Sequence, residues 1–177
     1  MVSLVALFWL LVLLFAVIGA IRGWAKELLV TSAIILGLFI LQILDKYVDP
    51  FRTSLMLQPP TTQFLTRAIL LGMLAFFGYQ TPAIRALQPK LARERMQDIV
   101  LGFLMGGLNG YLLFGSLWYY LHTANYPGSM VIMPPEGSDL AMQIESMIKY
   151  LPPLLIPEPH IYFAVGIVFV FVIVVFV

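Results

Sequence analysis

The sequence predicts an all-α fold: a polytopic transmembrane helix bundle with a four-helix core and a fifth C-terminal span. Three observations carry this expectation. The chain of 177 residues is 61% hydrophobic and only 11% charged, with a mean hydropathy of +0.96. A soluble domain of this length cannot hide that much apolar surface. The apolar residues fall in long uncharged runs, several close to the ~20 residues needed to cross a bilayer. Finally, Asp98, Gly102, Gly106 and Gly110 recur every four residues through the longest run. Backbone polar groups in lipid must be satisfied internally, so such runs are helices.

The first run, Leu4 to Ile21, is apolar apart from glycine and ends at Arg22. It lacks a basic n-region and a small-x-small cleavage site, so it reads as a retained span rather than a signal peptide. The second, Leu28 to Leu44, has Gln42 as its one strongly polar residue and ends at Asp45-Lys46. The third, Phe64 to Tyr79, carries Arg67 about one turn inside. Two roles are open for Arg67: snorkelling to the interface or a buried charge on a translocation path. Ile99 to Leu121 is the fourth and holds the glycine stripe. Ile161 to Val177 is the fifth. Its β-branched end would suggest a strand in water, a propensity that a bilayer overrides. It has no flanking charge at Val177, which leaves room for a continuation.

Charge suggests a topology. Arg22 and Lys26 follow the first span, and Arg85, Lys90, Arg93 and Arg95 lie between the third and fourth. The opposite side has Lys46, Arg52 and Lys149, plus Arg67 if it snorkels. Basic residues favour the cytoplasm. The N-terminus is therefore expected outside, and an odd number of spans places Val177 at the cytoplasmic face. Arg85, Lys90, Arg93 and Arg95 are candidates for anionic lipid headgroups. Their ordinary role is a solvated face leading into the fourth span.

The chain divides into a core over residues 1–122, a proline-rich extracytoplasmic arm over 123–160, and a C-terminal span over 161–177. Within the arm, Leu140, Ile144, Met147, Ile148 and Leu151 recur at helical spacing, which suits a short interfacial helix. Pro127, Pro134, Pro135, Pro152, Pro153, Pro157 and Pro159 break the chain around it. The arm is either a cap over the helices or a surface that docks other membrane proteins. Its periodic apolar surface looks too small to order without neighbours.

The glycine stripe is the most informative feature. At helical pitch Gly102, Gly106 and Gly110 fall on one face, where another helix can approach the backbone closely. An intramembrane packing contact is the ordinary reading, and a groove used in transport or signalling is the alternative. Gly115 is expected on the lipid-facing side. Asn109, inside the same span, seeks a partner on another helix and reads as helix-packing glue.

A second motif follows the first span: Gly19-x-x-Arg22-Gly23-Trp24-x-Lys26-Glu27. At a membrane interface its ordinary role is helix-to-helix anchoring, with Trp24 in the aromatic belt. This motif and the stripe that begins at Asp98, in this order, resemble the colicin V production family, CvpA, of small bacterial inner-membrane proteins. The resemblance covers about Leu4 to Leu121. It implies a membrane protein linked to colicin V production and envelope function, with no established reaction. Two departures stand out. The family has an arginine before the last stripe glycine, where this chain has Asn109. Its core has about four spans, so Thr123 to Val177 reads as an extension.

Catalysis finds no support in the sequence. His122 and His160 lie at span ends with no H-E-x-x-H context, and cysteine is absent. No nucleophile elbow or phosphate-cradling loop is present. No cofactor or metal is expected; axial ligation of a haem or chlorophyll by His122 or His160 is the one alternative. A net charge of +1 gives no footprint for nucleic acid. Expected partners are the lipid bilayer and other membrane proteins. The leading functional reading is a non-enzymatic protein acting in envelope export or stress tolerance. An accessory subunit of a respiratory or photosynthetic complex is the alternative, and a small transporter is the weakest.

Overall fold

A computed structural model of the protein describes residues 3–80, 92–127 and 137–176. All regular structure among the described residues is helical: α1 (Leu4–Arg22), α2 (Trp24–Tyr47), α3 (Asp49–Met56), α4 (Pro60–Tyr79), α5 (Ala92–Thr123), α6 (Asp139–Ile148), α7 (Pro152–Leu155) and α8 (His160–Phe176). Four helices are long and apolar enough to cross a membrane: α1, α2, α4 and the Arg95–Thr123 part of α5.

The fifth apolar segment, expected over Ile161 to Val177, is helical as α8 over His160–Phe176. α8 has 17 residues and qualifies only as a shorter apolar helix.

Proline and glycine set the helix boundaries. Gly23 alone separates α1 from α2; its N–H closes α1 on the Gly19 carbonyl at 2.9 Å. Pro60 and Pro152 open α4 and α7 at the first helical position, where a missing N–H costs nothing. α2, α4 and α5 each begin several residues ahead of their apolar stretches. α2 begins four residues ahead of Leu28 and so carries Glu27 into the bundle. α3 had no counterpart in the sequence reading, because its eight residues are too polar for a span and too short for a clear period.

α1 packs chiefly along α5, α2 lies against α4 and α5, and α8 lies against α2. The central core joins Ile34, Leu38 and Leu41 of α2 to Leu71 of α4 and Leu112 of α5, with Ile161 of α8. Hydroxyls inside the spans bond back to their own helix: Ser32 to the Leu28 carbonyl and Ser116 to the Leu112 carbonyl.

The described part of the arm folds onto this bundle as a cap. Ile144, Ile148 and Leu151 pack against Phe8 of α1 and Trp118 of α5. Tyr111 donates to the Tyr150 carbonyl. The Gln42 amide donates to the Ile156 carbonyl at 3.0 Å, and Lys46 pairs with Glu158. The support comes from this chain's own bundle, through both the apolar stripe and polar ties. Leu140, on the same predicted face, remains 46% exposed, so the buried stripe starts one turn later.

Arg67 has a partner on the neighbouring helix. Its Nε and one terminal nitrogen each lie 3.0 Å from a different carboxylate oxygen of Asp45. This fork-on-carboxylate pair ties α4 to α2 near the capped end of the bundle.

Candidate functional site

The two sequence motifs meet. The turn that joins α1 to α2 is held against the first turns of the α5 span. Gly23 has φ +88°, which side-chain-bearing residues rarely adopt, and a Cβ there would lie 2.7 Å from both carboxylate oxygens of Asp98. Gly23 therefore satisfies two demands at once, one conformational and one steric. Asp98 Oδ1 accepts the Trp24 N–H at 3.0 Å. No side chain at Gly23 can cap α2, and the carboxylate from α5 does so across the helix interface. It meets an orphan donor and the positive end of the α2 dipole.

Below this cap runs the glycine contact. Gly102 and Gly106 press on Gly19, and Gly110 on Val12 and Phe15. A Cβ on Gly102 would collide first with the Gly19 carbonyl oxygen. One on Gly106 would collide with the Phe15 carbonyl oxygen and lie 2.8 Å from Gly19 Cα; one on Gly110 would lie 3.0 Å from Val12 Cα. The atoms met are mostly backbone, so a side chain cannot simply turn away. The stripe is thus a close backbone contact of α5 with α1. Gly115, expected to face lipid, instead abuts the arm: a Cβ there would lie 2.6 Å from Pro152 Cδ.

A buried polar cluster lies beside the stripe. Glu27 is fully buried, yet each carboxylate oxygen is partnered. Oε1 accepts from Arg22 Nε at 2.8 Å, and Oε2 from Asn109 Nδ2 at 2.8 Å. The Tyr79 hydroxyl donates to Oε2 over 3.4 Å. The same Asn109 nitrogen reaches the Glu27 carbonyl at 2.9 Å, and the Thr31 hydroxyl lies 2.6 Å from Asn109 Oδ1. With two acceptors facing Nδ2 and a hydroxyl facing Oδ1, the network fixes the amide orientation. Arg22 also lies 4.6 Å over the Tyr79 ring and donates to the last carbonyl of α4. Its charge meets the negative ends of α1 and α4, as Asp98 meets the positive end of α2.

One level of the bundle therefore joins α1, α2, α4 and α5 through Arg22, Glu27, Tyr79 and Asn109. Removing one member of such a pair strands a buried charge, at a typical cost of ~3–5 kcal/mol. The other members of the two motifs lie outside the cluster. Trp24 is 39% exposed and Lys26 is exposed. Arg95 is exposed on α5, and Arg93 lies in its first turn. Arg85 and Lys90 fall outside the described residues. His122 Nδ1 lies 3.1 Å from the Tyr126 hydroxyl, and His160 is exposed at the start of α8. Among the described residues no three His, Cys, Asp or Glu side chains converge as metal ligands would.

Thr31 and Tyr79 were not foreseen. Thr31 stands one helical turn after Glu27, a spacing that could have flagged it; Tyr79 entered only as the last residue of the third span.

The family described as Colicin V production protein matches residues 5–148. The chain belongs to the colicin V production family. The match takes in both motifs, all four crossing helices and α6, so family character reaches into the arm. No curated protein and no solved structure matches the chain.

Proposed function

We propose that this member of the family is a non-enzymatic protein of the bacterial inner membrane that acts in envelope export or stress tolerance. The observation that carries the reading is the use this chain makes of the polar residues in and beside its two motifs. Arg22, Glu27, Asn109 and Asp98 spend their hydrogen bonds on one another and on helix ends. Such an arrangement favours a helix-locking role over a reacting centre. The test is deletion in the native host and complementation with the intact chain or with Glu27→Gln. Sensitivity to bile salts and export of a small secreted peptide are the readouts. Loss of either on deletion, restored by the intact chain, is expected. Unchanged resistance and export after deletion would refute the role.

The basic residues near the α1–α2 turn and before α5 favour an N-terminus outside. The absence of cysteine permits a clean labelling test. An impermeant reagent should label Asp139→Cys in intact cells and leave Lys90→Cys unlabelled; the reverse pattern inverts the orientation.

One observation favours the accessory-subunit reading. The outer face of α8 is apolar and uncovered, with Phe163 70%, Ile167 71% and Val174 76% exposed. Purification in mild detergent separates the readings. A single small species supports the first, and pigmented or redox subunits that co-purify support the second.

A further inference from the structure

At the end of the bundle away from the Arg22–Glu27 cluster, the arm and the helix ends enclose an open depression of about 480 Å³. Its wall includes Asp45 and Lys46 from α2, Arg52 from α3, Tyr119 and Tyr120 from α5, and Glu158 from the α7–α8 connection. The volume falls in the ~300–1,000 Å³ range of small-molecule sites. Two acidic and two basic groups line it, so its formal charge is balanced.

Each of these charges already has a partner and still has capacity to spare. Asp45 is gripped by Arg67, which leaves a lone pair on each carboxylate oxygen. Lys46 pairs with Glu158 and keeps two donors. Arg52 uses one terminal nitrogen on Asp49 and keeps the rest of its guanidinium. Tyr120 adds an independent observation. It is only 6% exposed, and its hydroxyl has no hydrogen-bond partner among the described residues. No fully enclosed side-chain nitrogen or oxygen among those residues lacks a partner. The Tyr120 oxygen must therefore reach open space, and the depression is the open space it lines. A ring buried this far normally places its hydroxyl on a partner.

We infer that this depression binds a phosphoethanolamine group, its ammonium received by Asp45 and the Tyr119 and Tyr120 hydroxyls and its phosphate by Arg52 and Lys46. A group carrying both charges uses the spare donors and acceptors without breaking the existing pairs. A singly charged ligand would leave one set of the spare groups unused. The site lies at the ends of the crossing helices, level with lipid headgroups, where tyrosines are common. The group can come from the headgroup of a phosphatidylethanolamine or from free O-phosphoethanolamine. The inference is independent of the envelope reading, since it concerns the opposite end of the bundle.

The test uses the full chain, purified in detergent and titrated with short-chain phosphatidylethanolamine, short-chain phosphatidylglycerol or O-phosphoethanolamine, with thermal unfolding as the readout. A saturable rise in Tm with the first lipid, exceeding that with phosphatidylglycerol, identifies a headgroup. A saturable rise with O-phosphoethanolamine identifies a free ligand. Either outcome supports the site. Tyr120→Phe should weaken the response about fivefold, the loss of one hydrogen bond, and Arg52→Gln about tenfold. Both leave the ring packing and the apolar core in place; Tyr119→Phe, on a less buried ring, is the substitute if Tyr120→Phe lowers the basal Tm. No saturable response to either phosphoethanolamine compound, an equal response to phosphatidylglycerol, or an unchanged response in the variants overturns the inference.

Discussion

Replacing Gly106 by alanine should push α1 away from α5. The new Cβ would meet the Phe15 carbonyl oxygen first, with Gly19 Cα at 2.8 Å and Gly19 N at 3.0 Å. Ordinary van der Waals contact begins near 3.4 Å, so the Phe15 carbonyl sets the shift and α1 must withdraw by roughly 1 Å, which forfeits up to about half of each contact's dispersion energy. The atoms met are backbone, so the shift spreads to the Gly102 and Gly110 contacts. Overpacking of this kind typically costs ~1–3 kcal/mol, offset by up to ~1 kcal/mol of helix propensity gained over glycine. A net destabilisation of about 1–2 kcal/mol is expected. Gly72→Ala is the paired control, because a Cβ there meets nothing within 4 Å. It keeps the propensity gain alone and should be neutral or slightly stabilising. Unfolding of the purified protein by titration with a denaturing detergent reads both. If Gly106→Ala is as stable as Gly72→Ala, the stripe is not a close backbone contact.

Two other perturbations follow from the same geometry. Asp98→Ala removes the cap on α2 and should cost about 0.5–2 kcal/mol in the same titration, whereas Asp98→Asn retains an acceptor and should cost less. Equal effects would show that the Trp24 N–H contact contributes nothing. The hydrogen bond from Lys46 holds the Glu158 carboxyl below the usual glutamate range. A depressed folded-state pKa stabilises above the unfolded value and is lost as pH falls through the folded one. The tie between the α7–α8 connection and α2 should therefore persist through neutral pH and weaken below about pH 4. Faster hydrogen exchange at the start of α8 on acidification, abolished as a pH effect by Glu158→Gln, is the expected result.

Much of this was legible in the sequence because lipid restricts the choices. Hydropathy located the four crossings, and the spacing of Gly102, Gly106 and Gly110 marked a contact face. The partner of that face was not legible, since nothing in the spacing says that Gly19 opposes Gly102 and Gly106 rather than residues of α4. Glu27 looked interfacial because α2 was read from its first apolar residue, Leu28. The helix starts earlier, and the turn at Gly23 carries the carboxylate inward. Gly115 was misplaced because periodicity cannot foresee an arm that returns to pack its Pro152 on α5.

The joining of the two motifs through Glu27 and Asn109 is tested most directly by a double-mutant cycle. Unfolding free energies are measured for the intact chain, Glu27→Gln, Asn109→Leu and the double variant. Independent sites add within about 0.3–0.5 kcal/mol. The charge-assisted bond from the Asn109 amide to the Glu27 carboxylate, at 2.8 Å, should instead give a coupling of about 1 kcal/mol; the second bond, to the Glu27 carbonyl, is present in both backgrounds and cancels. Additive effects of the two substitutions would contradict a shared lock between α2 and α5.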